Sequence, residues 1–168
     1  MAEKDTIFKG RIKQEGIYNF KDFYEFLYDY FTDENYDIAE TKYQEKINGE
    51  TKDLEIIWIA TKEVSDYFKY EIKSTWVILG MKKVKVKKDG QEVYMDSGAL
   101  EIKFTASLVK DYENRWENNP FFKFIRGIYD RYIIRSRIDD YEIKVWEEIN
   151  EIIAQAKSFL AIEGQHKT

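Results

Sequence analysis

Cysteine is absent from this 168-residue chain, and histidine and proline occur once each. Without cysteine there is no disulfide framework, thiolate metal site, cysteine nucleophile or iron–sulfur ligation. The lone histidine, His166, sits in the polar tail Gly164-Gln165-His166-Lys167-Thr168. Chain ends rarely hold the fixed geometry catalysis requires, which disfavours mechanisms built on imidazole. A phosphate-binding glycine loop, a nucleophile elbow and a zinc-protease helix are also missing. The charged start Met1-Ala2-Glu3-Lys4-Asp5 leads into no apolar run long enough for a signal peptide or a transmembrane segment. These absences point to a soluble, cytoplasmic protein and nominate no catalytic residue, metal ligand or cofactor. Carboxylates such as Asp37, Glu40, Asp66 and Asp96 are plentiful. Acid–base work needs a pair of them to meet in space, and no spacing here brings a pair together. An enzyme is the least favoured class.

What is present is apolar and aromatic: 43% of residues are hydrophobic and 17% carry aromatic rings, enough for the core of one domain spanning 1–168. Acidic residues outnumber basic ones 32 to 27, a net charge of -5, so general attraction to nucleic acid is not expected.

Periodicity lays out the elements. Residues 7–13 read as a first strand. Asn19 can cap a helix over 19–31, in which Phe20, Phe23, Tyr24, Leu27, Tyr28 and Phe31 recur every three or four positions and form one buried face. Residues 36–110 read as antiparallel strands. A turn at Asn48-Gly49 would set Glu45 against Lys52, Tyr43 against Leu54 and Lys42 against Glu55. A second turn at Asp89-Gly90 sets Lys87 against Glu92, Val86 against Val93 and Val84 against Met95. The alternating runs Phe68, Tyr70, Ile72, Trp76, Ile78 and Leu100, Ile102, Phe104, Ala106, Leu108 each bury one face, as do Leu54, Ile56 and Trp58. Gly80 and Gly98 interrupt these runs and mark bends.

A helical arm over 119–163 opens at Asn119-Pro120, a cap followed by a first-turn proline. Its apolar stripe Phe121, Ile125, Ile128, Tyr132 is out of phase with the next, Ile134, Ile138, Tyr141, Val145, Ile149, Ile152, Ala156, Phe159. The phase change predicts a kink near 134–137. Gly164 ends the arm. The fold class is α+β, with an antiparallel sheet of six to seven strands and a long C-terminal helix packed on it.

The order strand, helix, meandering strands, long terminal helix over residues 7–163 resembles the helix-grip architecture of the START and Bet v 1-like superfamily. The glycine-rich loop of its plant members has no counterpart, since Asn48-Gly49-Glu50 is a tight turn. The resemblance implies a curved sheet wrapped around the terminal helix, enclosing a cavity for a lipid or another hydrophobic small molecule. Tyr43, Ile56, Trp58, Tyr70, Trp76, Phe104, Trp146 and Ile149 would then line it, with Tyr43 or Tyr70 orienting the ligand. The same side chains serve equally well as a filled core.

Two basic stretches remain. Lys82-Lys83-Val84-Lys85-Val86-Lys87-Lys88 can touch phosphate or protect a strand edge. Residues 121–137 carry Lys123, Arg126, Arg131, Arg135 and Arg137 against the single acid Asp130. Such a basic aromatic helix suits a protein partner, a second copy of the chain or a membrane surface. The pairs Arg126–Asp130 and Arg135–Asp139, four apart, offer an internal use for the same charges. The sequence therefore yields two readings: a non-enzymatic binder of an apolar ligand, and an interaction module acting through 121–137.

Overall fold

The computed structural model describes residues 3–110, 120–128 and 135–164. Along the chain run β1 (Glu3–Tyr18), α1 (Phe20–Asp33), β2 (Asp37–Asn48), β3 (Thr51–Glu63), β4 (Phe68–Lys88), β5 (Gln91–Lys110), α2 (Pro120–Ile128) and α3 (Arg135–Glu163). The fold is α+β. Its antiparallel sheet is ordered β1-β5-β4-β3-β2, and α3 packs on it.

Among the described residues there are five strands, fewer than the six to seven expected. The glycines bend the strands without dividing them, as expected. Gly80 takes φ +63°, and the β4–β5 register slips between Leu79 and Lys82, yet β4 continues for 21 residues and β5 for 20. A bulge absorbs an extra residue without ending the ladder, so β4 bends there and continues. Gly98 lies across from it, where a Cβ would come within 3.0 Å of the Met81 Cα. Asp53 braces the bulge from β3, its Oδ1 accepting from the Gly80 amide at 2.8 Å.

The Asp89-Gly90 turn pairs as expected, with Val84 opposite Met95, Val86 opposite Val93 and Lys87 opposite Glu92. Both turn residues have positive φ, as a two-residue hairpin loop of this kind demands. The first hairpin differs. Its turn residues are Gly49-Glu50, with Asn48 opposite Thr51, Glu45 opposite Leu54 and Tyr43 opposite Ile56. The slip is two residues, so every side chain keeps its face. The charge pairs survive it: Lys42 reaches Glu55 at 2.9 Å and Lys52 reaches Glu45 at 3.1 Å.

Asn19 caps α1, its side chain accepting from the Asp22 amide. Phe23, Leu27 and Phe31 are buried while Tyr28 is largely exposed. On the same sheet face lies α3, burying Val145, Ile149, Ile152, Ala156 and Leu160. Phe159 joins the two helices, its ring 5.7 Å from Phe23 and 4.9 Å from Phe26. The Gly164 amide closes the end of α3 on the Leu160 carbonyl. The kink expected near 134–137 falls partly outside the described residues, since α3 is described only from Arg135. Asn119, Tyr132, Ile134 and His166 lie outside the described residues. No helix of the described residues is long and apolar enough to cross a membrane.

Candidate functional site

Alternation along β3, β4 and β5 aims one side chain in two at the helices, and these carry the aromatic set singled out from sequence. Ile56, Trp58, Tyr70, Trp76, Phe104 and Ile149 come together there, each at most 1% exposed. The Trp58 and Trp76 rings lie 4.8 Å apart, and α1 lays Tyr24 at 4.9 Å from Trp58 and Phe23 at 5.5 Å from Trp76. These rings are in mutual contact between the sheet and α1.

Two residues of the expected lining lie elsewhere. Tyr43 is 50% exposed, because β2 is an outer strand and this position lies beyond the cover of the helices. Trp146 is 49% exposed, because it follows buried Val145 by one residue and a helix turns about 100° per residue.

Polar anchors that sequence reading missed hold the layers together. The Tyr36 hydroxyl donates to Glu148 Oε2 at 2.6 Å. Lys62 Nζ donates to Glu148 Oε1 at 2.9 Å and to the Glu34 carbonyl at 3.0 Å. Lys62 also stands 4.9 Å from the centre of the Tyr36 ring. One lysine thus ties β3 to the carbonyl end of α1 and to α3. Nearby, Glu40 accepts from Tyr24 at 2.5 Å and from Trp58 Nε1 at 2.8 Å. Asp96, 3% exposed, accepts from the Phe20 amide at the start of α1 and pairs with Lys83 at 2.8 Å. No signal short of three-dimensional pairing reveals these contacts, which join positions 13 to 112 apart.

Burial raises the phenol pKa values of Tyr18, Tyr36 and Tyr70. Nearby carboxylates add to this: Asp96 for Tyr18, and Glu148 for the other two, hydrogen-bonded to Tyr36. The Tyr18 and Tyr70 hydroxyls find no hydrogen-bond partner among the described residues. Also among the described residues, no group of three or more acidic or histidine side chains is placed to hold a metal ion.

The basic run of β4 begins where the β3 ladder stops, at Met81 opposite Lys52. Beyond it, that side of β4 is an open edge, and Lys82, Lys83, Lys85 and Lys87 are exposed along it. Lysine there discourages pairing with another chain. Lys85 additionally covers the exposed Tyr94 ring at 5.6 Å.

The arm presents a different surface. On α2, Phe121 is 63%, Phe124 67% and Ile128 41% exposed, and their spacing puts all three on one helix face. Lys123 is exposed too, as are Arg135 and Arg137 at the start of α3. The Arg126 side chain and the whole of Arg131 and Asp130 lie outside the described residues. Arg135 and Asp139 form no ion pair among the described residues, so this pair does not neutralise the arm internally.

The outward ridge of α3 is acidic with an apolar centre. Ile143 is 57% exposed beside Trp146, and Asp139, Asp140, Glu147 and Glu151 are exposed on the same side. The ridge leads into a cleft lined by Tyr30, Glu34, Glu147, Glu148 and Glu151. Burial and then the charges of Glu151, Glu34 and Glu148 raise the Tyr30 phenol, a local sign of negative potential. Burial, followed by Asp139, likewise raises the Glu142 carboxyl on the flank.

No family model matches this chain, and no curated protein and no solved structure matches it either.

Proposed function

We propose that the chain is a non-enzymatic protein-interaction module, a firmly anchored α+β body that offers α2 as a docking arm. The observation that carries this is the joint exposure of Phe124 and Ile128, four apart on one face of α2. Large apolar groups left in water on a basic helix act as anchors once a partner covers them. A protein suits this arm better than an anionic membrane, because the acidic ridge of α3 belongs to the same small body and repels anionic lipid. A cytoplasmic setting fits the absence of cysteine. Native mass spectrometry of the chain from its own host is the test. A partner of defined mass should accompany the wild type and be lost from the Lys123→Glu/Phe124→Ser variant. A wild type carrying no partner, or a variant that keeps it, overturns the reading.

A second reading follows the helix-grip resemblance, a hydrophobic small molecule or lipid held between sheet and α3. It is favoured by the buried Tyr70 hydroxyl, which has no protein partner among the described residues and would orient a polar atom of the ligand. The same mass spectra address it: a small retained mass, lost from a Tyr70→Phe variant, supports the ligand, and its absence refutes it.

A further inference from the structure

We propose that the partner of α2 is a second copy of this chain, with α2 of each copy seated on the outer ridge of α3 in the other. The inference rests on the reading of α2 as a docking arm and names what receives it.

A receiver for α2 needs an apolar centre for Phe124 and Ile128 and a negative rim for the basic charges around them. The chain carries such a surface. Ile143 and Trp146 stand one turn apart on α3, 57% and 49% exposed, with Asp139, Asp140 and Glu147 on the same side. Charge is complementary too: α2 carries Lys123 and Arg126 and no acid, while Asp139, Asp140, Glu147 and Glu151 are exposed over 139–151 of α3 against Lys144. Other surfaces fit less well. The outer face of the sheet mixes signs, with Lys13 and Lys103 around Glu101, and the tip of the β4–β5 hairpin is itself rich in lysine.

Docking within one copy is not what covers these groups, since Phe124, Ile128, Ile143 and Trp146 are all exposed in the same chain. Reciprocal docking about a two-fold axis makes each contact twice and closes the assembly at a dimer. Apolar centres would supply the affinity, while the opposed charges set orientation and hasten encounter.

The experiment is sedimentation velocity on the purified full chain from about 1 to about 100 μM, a span that brackets modest interfaces. The wild type should sediment as a dimer, more weakly as salt is raised. An arm-reversed variant, Lys123→Glu/Arg126→Glu, and a ridge-reversed variant, Asp139→Lys/Glu147→Lys, should each weaken self-association at least about tenfold. An equimolar mixture of the two should recover the dimer, because the reversed arm of one meets the reversed ridge of the other and both native surfaces still meet. Trp146→Ser, at a solvent-facing position, should act like the ridge variant with unchanged circular dichroism.

A wild type that stays monomeric, a ridge variant that dimerises like the wild type, or a mixture that remains monomeric overturns the inference. If the arm variant alone loses a partner, the arm still docks, but on something other than this ridge. If neither variant changes any association, the docking arm falls as well. Co-sedimentation with phosphatidylserine vesicles, lost on arm reversal, would replace the protein partner with a membrane.

Discussion

The contact of Lys62 with Glu148 can be weighed by a double-mutant cycle. Both side chains are largely buried, 17% and 16% exposed, and the lysine also occupies the Glu34 carbonyl at the end of α1. Charge-assisted hydrogen bonds contribute about 1.5–3 kcal/mol each, and stranding one member of a fully buried pair costs about 3–5 kcal/mol. Partial exposure discounts the second figure. Lys62→Met, which leaves Glu148 with Tyr36 alone and Glu34 with no cation, should therefore cost about 3 kcal/mol. Glu148→Gln should cost about 2–3 kcal/mol, because Tyr36 can still donate to an amide oxygen while Lys62 loses its counter-charge. The double variant should cost less than the two together by about 1–3 kcal/mol, the coupling of the pair. For a chain of this size, 3 kcal/mol lowers the melting temperature by about 6–12 °C. Urea unfolding, followed by tryptophan fluorescence and by circular dichroism, gives the energies directly. Single costs below about 1 kcal/mol, or strict additivity to within about 0.5 kcal/mol, would refute the claim that one lysine clamps three elements.

Other expectations follow from the same coordinates. Gly98→Ala should destabilise by about 1–3 kcal/mol because its methyl meets the β4 backbone at 3.0 Å, and an unchanged melting temperature would show that the bulge yields. Tyr36→Phe should cost about 1–3 kcal/mol by stripping a donor from Glu148. By contrast, Tyr70→Phe should be neutral or slightly stabilising, since that hydroxyl has no partner among the described residues; a large loss in thermal unfolding would contradict this. Tyr18, Tyr36 and Tyr70 keep their protons in the folded state at pH values where the unfolded chain has lost them. Folding thus takes up protons above about pH 10, and stability, fully present below that, should fall by about 1.4 kcal/mol per pH unit for each phenol. Phenolate absorbance should show these three ionising only as the chain unfolds, and smooth titration of every tyrosine in the folded state would refute the assignment.

Much of the fold was legible because local patterns and tertiary needs agree. Asn19 caps α1, Asp89-Gly90 turns β4 into β5, and the alternating runs from Leu54 to Leu108 bury the faces their periodicity marks. The strand count overshot, although Gly80 and Gly98 bend the ladder as their interruption of the runs suggests. Asp53, 27 residues away, braces that bend, a contact the sequence does not display. The Asn48-Gly49-Glu50 turn was misplaced by one residue because registers two apart satisfy the same charges, which reach diagonally across the ladder. For the site, sequence marked the aromatic cluster but not the ring-to-ring contacts within it, since core and pocket use the same residues. It marked the basic arm but overlooked the ridge of α3. That ridge had a signal: Ile143 and Trp146, three apart and so neighbours on the helix surface, both lie off the stripe of Val145, Ile149, Ile152 and Ala156, where an amphipathic helix should be polar. The clamps through Glu40, Lys62, Asp96 and Glu148 had none.

The placement of β1 beside β5 has a consequence for biosynthesis. Tyr18 waits for Asp96 and Glu3 waits for Lys110, so β1 leaves the ribosome 78 to 107 residues ahead of β5, its only sheet neighbour among the described residues. At about 5–20 residues per second that is a delay of roughly 4–20 seconds. Meanwhile the locally paired hairpins can form, but Ile12 has no strand to lie against. A nascent chain that stalls before Gln91 leaves β1 unpaired, with Ile12 and Tyr18 uncovered.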